Sequence, residues 1–350
     1  MIRPGFTLIE NNQVVTDLSP TATPVIDVPT MGAAGVIRAL QGPGAYLLRD
    51  PTAPPQTVDP QGKFWLQTSG TTGLPKWVGH DLSTLTAKIR PGDGDARWLL
   101  TFNPGSFAGV QVILSAMLGG HTLISPQYGA DIAQMATTAV LHNVSHISGT
   151  PTFWRAFLMA LGDRDLPLKA VTLGGEAADQ AILTTLHHRF PHALIRHIYA
   201  TTEAGTVLTV SDGLAGFPSA WLNNDLAISD DILIVKGRDT GDIVEILDNR
   251  VQFRGRRDAM VNIGGVKIYP ETVEAHLLQL PFIQDVRITP KPNPITGHIL
   301  TADILLKPFC GEVSDQIRAH LASLPRAARP ATLRFVDHID VGATGKKLRI

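Results

Sequence analysis

The chain has 350 residues, 44% of them hydrophobic and 17% charged, with a formal net charge of −1. That is long enough for a large core and two domains, too apolar for a disordered segment, and too near neutral for a broad basic face that would hold nucleic acid or anionic lipid. A single cysteine, Cys310, excludes an intramolecular disulfide and argues against a cysteine zinc site. With no apolar signal core and no apolar run of membrane-spanning length, a cytoplasmic protein is expected.

Residues 1–60 are rich in proline and glycine; 51–55 read as a loop, 31–40 suit a short helix, and no function is read from them. A strand at 63–67 then runs into Thr68-Ser69-Gly70-Thr71-Thr72-Gly73-Leu74-Pro75-Lys76. Glycines let backbone N–H groups approach an anion, hydroxyls add donors, and one lysine adds a mobile point charge, so this is a candidate phosphate cradle. It is not a Walker A loop, because Lys76 lies between Pro75 and Trp77. Taken by itself, such a loop is also an ordinary polar surface turn.

Downstream, a helix at 81–89 capped by Asp81, a strand at 98–102, a turn at 103–109 and a buried helix at 110–118 ended by Gly119-Gly120 are expected. Strands at 121–125, 146–148, 170–173 and 194–199 alternate with helices at 131–142, 152–161 and 178–190. This alternation predicts an α/β fold with a mostly parallel sheet and ligand loops at the strand C-termini. After residue 210, short strands at 231–236, 242–247 and 250–254 predict a small antiparallel meander. Gly255-Arg256-Arg257-Asp258 breaks the pattern. Beyond it, helices at 271–280 and 313–324 with strands at 283–289, 299–306 and 332–336 make a small α+β unit. The expected domains are 1–257 and 258–350.

Short pieces then stand out in order: the 68–76 loop; Gly174-Gly175-Glu176-Ala177; Tyr199-Ala200-Thr201-Thr202-Glu203; Thr240-Gly241-Asp242; Gly255-Arg256-Arg257-Asp258 with Gly264-Gly265 and Pro270-Glu271; and a terminal Gly345-Lys346. In this order they resemble the adenylate-forming superfamily of acyl- and aryl-CoA synthetases, peptide-synthetase adenylation domains and luciferases, over about residues 64–350.

The resemblance implies a role for each piece. Thr68, Ser69, Gly70, Thr71, Thr72, Gly73 and Lys76 would hold the β- and γ-phosphates of ATP. Gly174, Gly175 and Glu176 would give adenine a side-chain-free approach, and Tyr199 a face to stack on. Thr202 would donate to the α-phosphate, and Glu203 would bind Mg²⁺ as a hard oxygen ligand. Asp242 would accept the ribose hydroxyls, with Arg256 as a second ribose or phosphate contact. Asp258 would be the hinge, Gly264-Gly265 would line a path for a pantetheine thiol, and Lys346 would bridge the carboxylate and the α-phosphate. Each alone has an ordinary structural reading: a helix-entry turn, a core tyrosine, a turn aspartate, a solvated tail lysine.

The sequence departs from the family pattern in places. The phosphate loop begins early, and 203–242 is short; compact members of the O-succinylbenzoate–CoA ligase group share this trimming. Ser106 stands where many CoA ligases carry a histidine, and 108–118 contain no Lys or Arg. The pocket therefore suits an aryl or medium-sized acyl acid, and the Gly-Gly pair favours CoA as acceptor. The alternatives are an enzyme that loads a carrier protein and a non-catalytic nucleotide-binding protein. The histidines show no metal spacing, so no zinc site is assigned.

Overall fold

The computed structural model describes residues 2–68, 75–90, 95–308, 311–340 and Lys347. They divide into two compact units, one of residues 2–176 and 186–212, the other of 177–185, 213–340 and Lys347. Asp258 lies inside the second.

The first unit begins with β1 (Thr7–Glu10), β2 (Gln13–Val15), β3 (Val25–Asp27), α1 (Val28–Leu40), β4 (Ala45–Leu48), β5 (Phe64–Thr68) and β6 (Lys76–His80). It continues with α2 (Leu82–Thr86), β7 (Arg97–Leu99), α3 (Phe107–Gly119), β8 (Thr122–Ser125), α4 (Ile132–Leu141), β9 (His146–Gly149), α5 (Pro151–Leu161) and β10 (Ala170–Gly174). Then come α6 (Gln180–Arg189), which spans both units, and β11 (Leu194–Thr201) and β12 (Gly205–Val210).

The expected alternation is present. Its strands form an eight-stranded sheet in the order β12-β11-β10-β9-β7-β8-β1-β2, parallel in the middle and closed by an antiparallel strand at each edge. A four-stranded sheet, β3-β4-β5-β6, carries the candidate phosphate loop between its last two strands. Residues 2–60, which gave no functional signal, thus contribute strands to both sheets.

Local chemistry explains the helices. α3 has no charged residue and buries most of its length, so it is held by packing rather than by an amphipathic stripe. It starts earlier than the apolar run suggests because Ser106 caps it, accepting from Gly109 N at 3.0 Å, and it ends at Gly120 in the left-handed region. α4 starts on a capping box between Asp131 and Gln134. Asp81 occupies the cap position of α2 without a side-chain cap bond, and that helix stops short of the expected 89. In α1 the backbone breaks at Gly32 (φ 58°), and Glu10 accepts from Ala33 N at 2.6 Å where the helix resumes.

The second unit carries β13 (Phe217–Pro218), β14 (Leu226–Ser229), β15 (Ile232–Val235), β16 (Arg238–Leu247), β17 (Arg250–Arg256), β18 (Val261–Ile263), β19 (Val266–Ile268), α7 (Pro270–Leu277), β20 (Ile283–Asn293), β21 (Gly297–Leu306), α8 (Ser314–Leu321) and β22 (Thr332–Phe335). The meander is a five-stranded antiparallel sheet, β13-β17-β16-β15-β14. The α+β part has its own core, in which Val273, Leu277, Val286, Ile304 and Ile317 are buried together. No described helix is long and apolar enough to cross a membrane.

Candidate active site

The phosphate-loop candidate is carried on a hairpin. Thr68 and Lys76 are cross-strand partners at its open end, and Gln67 faces Trp77 below them. Tyr46 stacks on Trp65 at 5.6 Å and meets Trp77 edge-on at 5.3 Å, which stiffens the base of the hairpin. Gly79 lets the strand lie close to this cluster: a Cβ there would sit 3.0 Å from the Trp65 ring, which would have to shift. Lys76 is exposed. Ser69, Gly70, Thr71, Thr72 and Gly73 lie outside the described residues.

β6 ends at His80, which is 4% exposed and packs on Phe107 at 5.7 Å. Burial lowers its pKa, and the Glu203 and Asp81 carboxylates and the Thr202 backbone act against that shift. Its buried Nε2 has no hydrogen-bond partner among the described residues. Phe107 also lies 3.8 Å from where a Cβ on Gly205 would be, so His80 and the residue just after the Thr202-Glu203 turn share one aromatic neighbour. That turn joins β11 to β12, and Thr201 Oγ1 steadies it by accepting from Ala204 N at 3.0 Å. Glu203 is exposed at the turn, and Thr202 is half-buried.

β9, β10 and β11 are parallel neighbours, so their C-terminal ends share one edge of the sheet. Gly174 pairs with Ile198, and a Cβ there would meet nothing closer than 3.7 Å, which leaves room for a flat group. Gly175 needs its glycine for another reason, a φ of 82°. Glu176 serves the fold, since one of its carboxylate oxygens accepts from Thr152 N at the start of α5, 3.1 Å away. Tyr199 is half-buried at a register shift between β11 and β12.

In the second unit, Thr240-Gly241 is not the turn before a strand starting at Asp242 that the sequence suggested. It lies inside β16, with Gly241 at φ 72° and Asp242 opposite Arg256 on β17. Arg256 joins two residues singled out from the sequence: it lies 3.2 Å from Asp242 and 3.0 Å from Asp258. Gly264 and Gly265 are the two central residues of the hairpin between β18 and β19, at φ 57° and 89°. Two successive positive φ values are the signature of a tight hairpin turn and call for glycine. Lys346 lies outside the described residues.

A family model described as "AMP-binding enzyme" matches residues 10–241. The chain belongs to the AMP-binding enzyme family. It is 25% identical over 327 residues to a 2-succinylbenzoate–CoA ligase of Staphylococcus aureus, covering 81% of this chain and 65% of that protein. It is 23% identical over 339 residues to tyrocidine synthase 3 of Brevibacillus parabrevis, covering 81% of this chain and 5% of that much longer protein. This chain thus spans less than two thirds of the length of these relatives. Among solved structures, o-succinylbenzoate CoA synthetase from Bacillus subtilis, in complex with the acyl-adenylate intermediate OSB-AMP, has the same fold. There the TM-score is 0.63 with 17% identity, over 98% of this chain and 94% of that one.

Thr68, Lys76, Gly174, Gly175, Glu176, Tyr199, Thr202 and Glu203 all belong to the first unit. The second holds Asp242, Arg256, Asp258, Gly264 and Gly265. Sequence reasoning missed His80 because an isolated histidine after a strand carries no spacing signal. Its proximity in sequence to Lys76 was the one available cue.

Proposed function

We propose that this chain is an AMP-forming acid–thiol ligase. In this reading a carboxylate attacks the α-phosphate of ATP, giving acyl-AMP and pyrophosphate, and a thiol then takes the acyl group and releases AMP. The observation that carries the proposal is that His80, at the end of the phosphate-loop strand, and Gly205, just after the Thr202-Glu203 turn, both lie against Phe107, at 5.7 Å between rings and 3.8 Å from a Cβ on the glycine. That shared contact supports a site in which the Lys76 hairpin and the Thr202-Glu203 pair would act on one nucleotide. Lys76 and Thr68 would hold the leaving pyrophosphate, Thr202 would donate to the α-phosphate, and Tyr199 and Gly174-Gly175 would receive adenine.

Glu203, exposed and on a tight turn, fits a role as the protein ligand of Mg²⁺ bound with ATP, where the cation would neutralise charge on the phosphate oxygens. Asp242 would take the ribose hydroxyls, with Arg256 oriented by it. Lys346 would stabilise the charge that develops between the carboxylate and the α-phosphate.

For the second step we place the turning point at Asp258, between parts 1–257 and 258–350. The Arg256–Asp258 pair at 3.0 Å is half-exposed, so a rotation there would break a contact of small cost, about 0–1 kcal/mol. The tight Gly264-Gly265 turn presents backbone with no side chain in the way, which suits a pantetheine arm and favours CoA. A carrier-protein pantetheine is the second reading, supported by the likeness to tyrocidine synthase 3. A cytoplasmic setting belongs to the same proposal.

The test is acid-dependent pyrophosphate release with MgATP over a panel of aryl and aliphatic acids, followed by mass detection of the CoA thioester. Silence across the panel would sink the ligase reading. Adenylate formation with thioester only on an added carrier protein would favour the second.

A further inference from the structure

We infer that Arg49 is an anion-recognising residue at the foot of the phosphate-loop hairpin, poised for a phosphate or carboxylate group of a substrate. This deepens the ligase reading and rests on it. Arg49 follows β4, and the Gln67 side chain clamps its backbone: Arg49 N and Asp50 N donate to Gln67 Oε1 at 2.7 and 2.9 Å. The Arg49 guanidinium returns the contact, with Nη2 donating to the Gln67 carbonyl. Gln67 is 3% exposed and directly precedes Thr68, the stem of the loop. The guanidinium is thereby fixed to the end of the phosphate-loop strand.

Its other side faces the turn that leads into α3. A Cβ on Gly105 would lie 3.0 Å from Arg49 Cγ, so the turn's backbone rests on the arginine stem. The same turn carries Asn103, whose Nδ2 donates to the Tyr128 hydroxyl at 2.9 Å. Tyr128 in turn acts electrostatically on Arg49. Residues 108–118 contain no Lys or Arg, and Arg49 lies against the turn that precedes them.

No carboxylate of the described residues forms an ion pair with Arg49, and its buried Nε has no acceptor among them. The adjacent Asp50 acts on it through space only, and spends Oδ1 on Thr52 N and Thr52 Oγ1, at 2.9 and 2.6 Å. Burial lowers the guanidinium's pKa, which is the mark of a charge removed from water. With Nη2 given to the Gln67 carbonyl and Nε buried, the half-buried guanidinium keeps its remaining N–H groups for an anion oxygen, and a partly desolvated charge without a counter-ion favours one. Two groups of the proposed reaction have that chemistry: the pyrophosphate end of ATP, and a second carboxylate on the acid.

The experiment uses the full chain, Arg49→Met and Arg49→Lys. It measures pyrophosphate binding by titration calorimetry, and KM for ATP and for a matched mono- and dicarboxylic acid by pyrophosphate release. If the phosphate end is the ligand, Arg49→Met weakens pyrophosphate binding about tenfold or more, with acid KM values unmoved, as expected for loss of a charge-assisted hydrogen bond. If the source is a second carboxylate, KM rises by about the same factor for the dicarboxylic acid alone. Should Arg49→Met fail to fold, Arg49→Lys decides, because it keeps the charge and loses the fork. An adenylating wild type with folded variants within about twofold of it in every measurement overturns the role of Arg49 and leaves the ligase reading standing. A wild type that adenylates no acid removes both.

Discussion

Lys347 Nζ lies 2.8 Å from Asp285 Oδ1 and 3.5 Å from Glu274 Oε2, and all three side chains are buried. The ammonium also donates to the Val286 carbonyl at 2.6 Å, while Glu274 Oε1 accepts from Ile288 N at 2.8 Å. This lysine is thus a structural cation inside the core of the α+β part, tied to β20 and α7. Lys347→Ala leaves two buried carboxylates without it. A loss of about 3–5 kcal/mol in stability is expected, read by urea denaturation. An unchanged midpoint would show that the triad contributes nothing.

The neighbouring Lys346 has the opposite expectation. Lys346→Ala should lower acid-dependent pyrophosphate release by at least about a hundredfold, the scale seen when a group that stabilises developing charge is removed. Thioester formation from supplied acyl-AMP should be spared. Equal loss of both steps would contradict a two-conformation cycle. Measured together, the two lysines separate chemistry from anchoring at adjacent positions.

His80 gives a third test. His80→Phe preserves much of the buried volume and the contact with Phe107 but removes the polar ring from the Thr202-Glu203 turn. Turnover in pyrophosphate release should fall about tenfold, consistent with losing one polar interaction in a desolvated site, while the melting temperature moves little. Full activity in a folded variant would exclude His80 from positioning the turn.

The pH dependence of stability should carry the mark of His146. Its pKa is lowered to about 4, first by burial and then by His121, Arg196 and Lys169. It sits on Trp98 at 4.8 Å, and its Nδ1 is 2.9 Å from Ser145 Oγ. With the folded pKa below the ordinary 6.5, the unfolded chain takes the proton first. The stabilising contribution is therefore full above about pH 6.5 and is lost as pH falls toward about 4. Denaturation at stepped pH should show this slope, and His146→Gln should flatten it over that window. An identical slope in the variant would assign the effect to other groups.

Much of the fold is legible in the sequence because its signals are local. The apolar runs at 98–102, 121–125, 170–173 and 194–199, and the glycines that punctuate them, announce strands and their ends within a few residues. The boundaries that moved did so for side-chain reasons: α3 begins at Phe107 because Ser106 caps it, a bond that hydropathy does not report. Thr240-Gly241-Asp242 reads as a turn, yet a strand runs through it, because Gly241 takes a positive φ within a sheet whose register shifts nearby.

What the sequence alone determined is the family, together with candidates for its chemistry: a hydroxyl–glycine loop with Lys76, the Thr202-Glu203 pair, Asp242 and Lys346. These are contiguous words, and side-chain type with spacing is enough to read them. Only the tertiary structure decided which solitary residues join them. Arg49 reaches Gln67 across eighteen residues, and Lys347 reaches Val286 across sixty-one. His80 shares Phe107 with the residue just after the Thr202-Glu203 turn only because β6 and β11 end in the same unit. The physical reason is that a charge becomes informative through its burial and the absence or presence of a partner, and both are properties of the folded chain.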